Sequence, residues 1–114
     1  MVLENLKPKI VWDIFEMISN TPRPSRHEEK IRNIIKNYII EAGKTHKIDY
    51  KLFQDDVGNI LIKKPATSGL ESNPPILLQA HLDMVCETDK PEGFDFFNKG
   101  KMRILISNIG YLYF

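Results

Sequence analysis

With one cysteine, Cys86, no disulfide can form within this chain, which excludes the cystine frameworks that hold many small secreted domains together. It also lacks any apolar run near the length of about 20 residues needed to cross a bilayer. Its first residues, Met1-Val2-Leu3-Glu4-Asn5-Leu6-Lys7, carry no apolar signal segment. Excess charge is missing too. Sixteen basic side chains against fifteen acidic ones leave a net charge of +1, interleaved rather than gathered into a basic stripe with aromatics. Neither nucleic acid nor a membrane is therefore expected as a partner, and the cytoplasm is the expected location. There are no internal repeats and no low-complexity tracts. What remains is 114 residues, 42% of them hydrophobic, enough for one globular domain with a modest core.

Periodicity predicts two helices. Ile10, Val11, Ile14, Phe15 and Ile18 recur at helical spacing over about Pro8 to Ser19, with Pro8 suited to a first turn where its missing N–H is not needed. Thr21-Pro22-Arg23-Pro24 stops that helix, since proline disfavours helical geometry in the residue before it. Arg23 reads as loop punctuation, with a clamp for a substrate carboxylate as the other use of its guanidinium. Ser25-Arg26-His27-Glu28 has the form of a capping box, which predicts a helix start at Ser25. Ile31, Ile34, Ile35, Tyr38 and Ile39 form the next apolar stripe, with Lys30, Arg32, Asn33, Lys36 and Asn37 facing water and Gly43 as the stop. His27 lacks the second imidazole of a zinc-binding His-Glu-x-x-His helix, because Ile31 stands at that position.

Strands follow. The alternation Ile48, Tyr50, Leu52 predicts a half-buried strand, and Ile60-Leu61-Ile62 predicts its hairpin partner across the turn-rich Asp55-Asp56-Val57-Gly58-Asn59. The paired aspartates are either local acceptors of backbone bonds or candidates for metal and base chemistry. Residues 65–75, rich in proline, glycine and small polar side chains, read as a surface loop. Met102 to Ile106 and Tyr111 to Phe114 predict two last strands around a turn at 107–110. The fold class expected from these pieces is α/β, two N-terminal helices with a mixed β-sheet.

Chemistry concentrates at His81. Ile76-Leu77-Leu78-Gln79-Ala80 is an apolar run of strand length, as in a sheet covered on both faces, and it ends in His81-Leu82-Asp83. Residues two apart in a strand share a face. His81 can then bind a metal through one ring nitrogen while its other N–H donates to Asp83, which fixes the tautomer. The alternative is an ordinary hydrogen-bonded pair at a strand end. Met84, Val85 and Cys86 are expected to pack beneath it, with Cys86 as a small hydrophobe. Glu87, Asp89, Glu92 and Asp95 read as a solvated acidic loop.

Several runs taken together resemble a known family. Pro8-Lys9-Ile10-Val11-Trp12-Asp13-Ile14-Phe15, Pro22-Arg23-Pro24-Ser25-Arg26-His27-Glu28-Glu29-Lys30-Ile31, Gln54-Asp55-Asp56-Val57-Gly58-Asn59 and above all His81-Leu82-Asp83-Met84-Val85-Cys86-Glu87 are similar to the N-terminal portion of the aminoacyl-histidine dipeptidases. The resemblance implies membership of a class of two-zinc peptidases, with a catalytic α/β domain interrupted by a second domain. It implies His81 as a zinc ligand, Asp83 as the catalytic carboxylate that orients it, and hydrolysis of an unblocked dipeptide by zinc-activated water. Cobalt and manganese suit the same donors.

By the same resemblance the bridging aspartate, the paired glutamates with the general base, the last histidine and the second domain would lie beyond Phe114. Residues 1–114 are accordingly expected to be the truncated front of a catalytic domain, inactive alone, and the apolar ending Tyr111-Leu112-Tyr113-Phe114 is expected to leave an open sheet edge. The alternative function is a non-catalytic α/β module that binds a protein partner by adding to that edge.

Overall fold

Both apolar stripes become helices. In a computed structural model describing Leu3 and residues 5–86, 95–97, 105–106 and 112–113, α1 spans Lys9–Ser19 and α2 spans Glu29–His46. The strands are β1 (Lys51–Gln54), β2 (Ile60–Lys63), β3 (Leu105–Ile106) and β4 (Leu112–Tyr113). β1 pairs antiparallel with β2, and β3 antiparallel with β4, as two separate two-stranded sheets. Parallel pairing among the described residues is confined to one isolated bridge, Pro24 to Met84. The chain divides into two compact units, Met1–Glu28 with Asp83–Phe114, and Glu29–Leu82.

In the first unit α1 starts one residue later than expected, with Pro8 as an extended N-cap rather than a first-turn residue. Ile14, Phe15 and Ile18 are half-buried, whereas Ile10 and Val11 in the first turn remain exposed. Trp12 and Phe15 meet edge to face at 5.9 Å. The helix closes where the prolines require it. Asn20 N–H bonds to the Glu16 carbonyl at 2.9 Å, and the Thr21 hydroxyl donates to the Met17 carbonyl at 2.8 Å. In backbone register Leu105 pairs with Tyr113 and Ile106 with Leu112 across β3 and β4. The rest of the two expected C-terminal strands, their turn and the open edge lie outside the described residues.

In the second unit the apolar stripe of α2 is the core. Ile31 is only 1% exposed, and Ile34, Ile35, Tyr38 and Ile39 are half-buried. Burying a side chain of that size contributes about 2 kcal/mol. The polar face is less uniform than its pattern predicts. Lys30, Asn33 and Asn37 face solvent, but Arg32 and Lys36 are half-buried. Lys36 Nζ donates to Gln54 Oε1 at 3.0 Å, and a Cβ on Gly58 would run into the Arg32 guanidinium. Long cationic side chains can cover a neighbouring hairpin with their stems and still present a charged head.

Gly43 does not stop α2, which continues to His46. The terminator is Lys47, at φ +54, followed by a hydrogen bond of 3.0 Å from Ile48 N–H to the Gly43 carbonyl. This is the Schellman closure, with a lysine in the left-handed position that glycine usually takes. Gly43 answers a different demand: a Cβ there would lie 2.8 Å from the Ile48 carbonyl oxygen and 3.3 Å from the Tyr50 ring. The closure, with Tyr50 N–H bonded to the Ile48 carbonyl, occupies residues 48–50 and delays β1 to Lys51. Ile48, Tyr50 and Leu52 are still half-buried and alternate with exposed Asp49 and Lys51, so the predicted faces hold although the strand is shorter.

The hairpin register pairs Leu52 with Ile62 and Gln54 with Ile60. Beyond it Asp55 N–H bonds to the Asn59 carbonyl and Gly58 N–H to the Asp55 carbonyl, each at 3.1 Å, with Gly58 at φ +94. That is a three-residue loop ending in a left-handed residue, which only glycine adopts without strain. Asp55 is the acceptor that shapes it, taking Asn59 N–H at 2.7 Å on one oxygen and the Asn59 amide at 2.8 Å on the other. Both oxygens are occupied by the turn, so Asp55 serves the hairpin rather than a metal.

Residues 65–75 form the expected exposed loop. The expected strand over Ile76–Asp83 is absent. These residues have no regular secondary structure, and Ile76, Leu77 and Leu78 are 88%, 79% and 88% exposed. A strand exists only through its ladder, and no described strand pairs with this run.

Two outcomes test this description. Lys47→Gly removes the left-handed penalty and should raise stability by about 1 kcal/mol, read from the urea midpoint; a decrease would mean that the lysine side chain does something the closure does not explain. The Asp55 carboxyl is held below its usual value, chiefly by the Asn59 side chain, with desolvation opposing and the backbone N–H groups of Asn59, Gly58 and Val57 assisting. Its stabilisation is therefore complete above the unfolded value of about 3.9 and lost as pH falls through the lower folded value. The gap in urea midpoint between the native chain and Asp55→Ala should be constant above about pH 5 and shrink in stronger acid. A gap that persists undiminished would show that the carboxylate charge is not its source.

Candidate functional site

The first unit brings together two distant motifs, the Pro-Arg-Pro-Ser segment and the segment that carries Asp83. Arg23 is the hinge of this arrangement. Its guanidinium Nη1 donates to the Ile18 carbonyl and, at 3.4 Å, to the Thr21 carbonyl, answering acceptors at the end of α1. Its Nη2 lies 3.5 Å from the Met84 sulfur. Partial burial holds the guanidinium somewhat below its ordinary pKa. Arg23 thus caps the end of α1 from the loop in which it lies. The Arg23 carbonyl accepts Met84 N–H at 2.9 Å, which makes the parallel bridge between Pro24 and Met84.

Next to the bridge the chain turns. His27 N–H bonds to the Pro24 carbonyl at 2.9 Å, with Arg26 at φ +70 in the third position of the turn. A positive φ there, after a residue of ordinary φ, makes it a type II turn, in which glycine is preferred. The Arg26 N–H donates to Glu28 Oε1 at 2.6 Å. The capping box expected here does not form, because α2 begins only at Glu29, four residues beyond Ser25. Ser25 Oγ instead donates to Asp83 Oδ2 at 2.5 Å. His27 is exposed, as expected, with its ring edge to face against Phe97 at 4.9 Å.

Asp83 is half-buried in the first unit, and His81, two residues earlier, is exposed in the second. Each takes part in further polar interactions. Met84 is half-buried, but Val85 is 76% exposed and Cys86 is an exposed free thiol, which corrects the expectation that these two lie beneath the site. Asp95 accepts Phe97 N–H at 3.0 Å in a local turn, while Glu87, Asp89 and Glu92 lie outside the described residues.

Zinc needs a neutral nitrogen or an anionic oxygen with room to approach. By residue type, the exposed His81 imidazole and the Asp83 carboxylate suit a zinc ligand and an orienting group. They do not complete a site. Among the described residues no three His, Cys, Asp or Glu side chains converge, and a catalytic zinc usually takes three protein ligands. Sequence reasoning missed Ser25, which lies 58 positions from Asp83. Its only signal was that the two most distinctive motifs of the chain contain them.

Two known proteins are similar to this chain. The cytosol non-specific dipeptidase of Escherichia coli (strain K12) is 44% identical over 94 residues, which are 82% of this chain and 18% of that protein. An aligned stretch of 94 residues in a chain of 114 takes in Ser25, His81 and Asp83 wherever it begins. Among solved structures, the aminoacylhistidine dipeptidase from Vibrio alginolyticus superposes with a TM-score of 0.70 at 33% identity, covering 93% of this chain and 20% of that one. No family model matches. Both relatives are dipeptidases of the kind the motifs resemble, and the chain spans about a fifth of their length. Among the described residues no helix is long and apolar enough to cross a membrane.

Proposed function

We propose that this chain is part of a cytoplasmic metallo-dipeptidase that hydrolyses unblocked dipeptides, Xaa-His among them. His81 is its ligand to zinc and Asp83 the carboxylate that orients the imidazole. The observation that carries the reading is the 44% identity to a dipeptidase over a stretch that includes both residues. A dipeptide is the substrate; cobalt and manganese are alternative metals for the same donors. Bound zinc supplies Lewis acidity toward the scissile carbonyl and lowers the pKa of a water.

What this chain supplies is orientation. Imidazole ligates through one nitrogen only when the proton sits on the other, and a carboxylate accepting that proton in a hydrogen bond selects the tautomer and fixes the ring plane. One Asp83 oxygen accepts the Ser25 hydroxyl, and the role proposed for this carboxylate is to orient the His81 imidazole. Binding of the dipeptide termini and the proton transfers of hydrolysis need further groups, so the 114 residues alone do not turn over substrate.

The test uses the relative as a frame. The 114-residue chain by itself should release no amino acid from dipeptides in the presence of zinc. Exchanged for the matching stretch of the Escherichia coli dipeptidase, it should support zinc-dependent hydrolysis. In that chimera His81→Ala should abolish activity and Asp83→Asn should lower it roughly ten- to a hundredfold. A folded, active chimera indifferent to His81→Ala would refute the assignment, and so would turnover by the isolated chain.

A further inference from the structure

The Asp83 carboxylate accepts a hydrogen bond from a distant motif, and the donor is a serine that the local sequence marks for another task. We propose that Ser25 is a positioning residue, whose hydroxyl holds the Asp83 carboxylate in the rotamer that orients His81. The functional half of this statement rests on the dipeptidase reading above; the structural half stands without it.

Four observations converge. The Ser25 hydroxyl donates directly to Asp83 Oδ2, a side-chain hydrogen bond between positions 58 apart in sequence. Ser25 occupies the second position of the type II turn, which His27 N–H to the Pro24 carbonyl closes and Arg26 N–H to Glu28 braces. That turn keeps a non-glycine residue, Arg26, at φ +70, a left-handed conformation that persists only where surroundings enforce it. On the facing segment Met84 N–H is tied to the Arg23 carbonyl, so the backbone on both sides of the hydroxyl and the carboxylate is set before either side chain chooses a rotamer. A helix-capping role is excluded, since α2 begins at Glu29 and the hydroxyl points to Asp83.

The test compares two side chains of one shape. Ser25→Thr keeps the hydroxyl, and Ser25→Val replaces it with a methyl. In the isotopically labelled 114-residue chain, three-bond couplings from the Asp83 carboxyl carbon report its χ1. A single rotamer is expected for the native chain and for Ser25→Thr, and averaging over rotamers for Ser25→Val, with amide shifts away from the turn unchanged. If Ser25→Val loses the fold, Ser25→Ala gives the same comparison.

In the chimera Ser25→Val should lower kcat roughly tenfold at unchanged KM, and Ser25→Thr should restore it. Equal Asp83 couplings in the Thr and Val variants would overturn the proposal, as would equal kcat values in an active chimera. An inactive chimera with the rotamer result intact would instead overturn the dipeptidase reading and leave the Ser25–Asp83 coupling standing.

Discussion

One backbone hydrogen bond, from Met84 N–H to the Arg23 carbonyl at 2.9 Å, holds the Pro-Arg-Pro-Ser segment against the segment that carries Asp83. It joins segments some sixty residues apart, which side chains alone would hold poorly against the entropy of closing so long a loop. Arg23 makes it possible by acting at both ends. Its guanidinium satisfies carbonyls at the end of α1, and its own carbonyl receives the incoming strand-like segment. The prolines on either side remove competing helical geometry and leave the Arg23 carbonyl free to accept. From that anchor the type II turn follows, then the placement of Ser25, then the orientation of Asp83.

The second unit depends on a parallel economy of backbone closure. α2 ends in a Schellman bond that needs close approach at Gly43 and a left-handed residue at Lys47. The next hairpin is closed by Asp55, whose carboxylate accepts both the Asn59 N–H and the Asn59 side-chain amide beside the backbone bonds of the turn. Arg32 and Lys36 then lie along the hairpin instead of in water. Each feature uses a residue that a pattern reading places elsewhere: the glycine as a stop, the aspartate as a ligand candidate, the cations as a solvated face.

The helices were legible because their signal is periodic: Ile31, Ile34, Ile35, Tyr38 and Ile39 define one face whatever the rest of the chain does. The hairpin was legible from Gly58 and its alternating flanks. The run Ile76-Leu77-Leu78 was read as a strand from composition, yet composition reports what a segment could bury and not whether a partner strand is there to pair with it. Ser25 failed for a related reason. A serine three residues before a glutamate satisfies a local rule, but the hydroxyl found a charged acceptor 58 residues away, and a charge-assisted bond outcompetes a neutral cap. His81 and Asp83 would share a face only on that strand, and a run without a ladder does not give them one; what remains of the reading is the resemblance of the motif around them.

Amide hydrogen exchange at Met84 tests the central constraint most directly. If the Arg23 carbonyl holds this N–H in solution, Met84 exchanges at least about tenfold more slowly than the neighbouring Val85 and Cys86 amides. If all three exchange at one rate, the Pro-Arg-Pro-Ser segment is not anchored to the Asp83 segment, and the arrangement of Ser25 and Asp83 built on it does not hold.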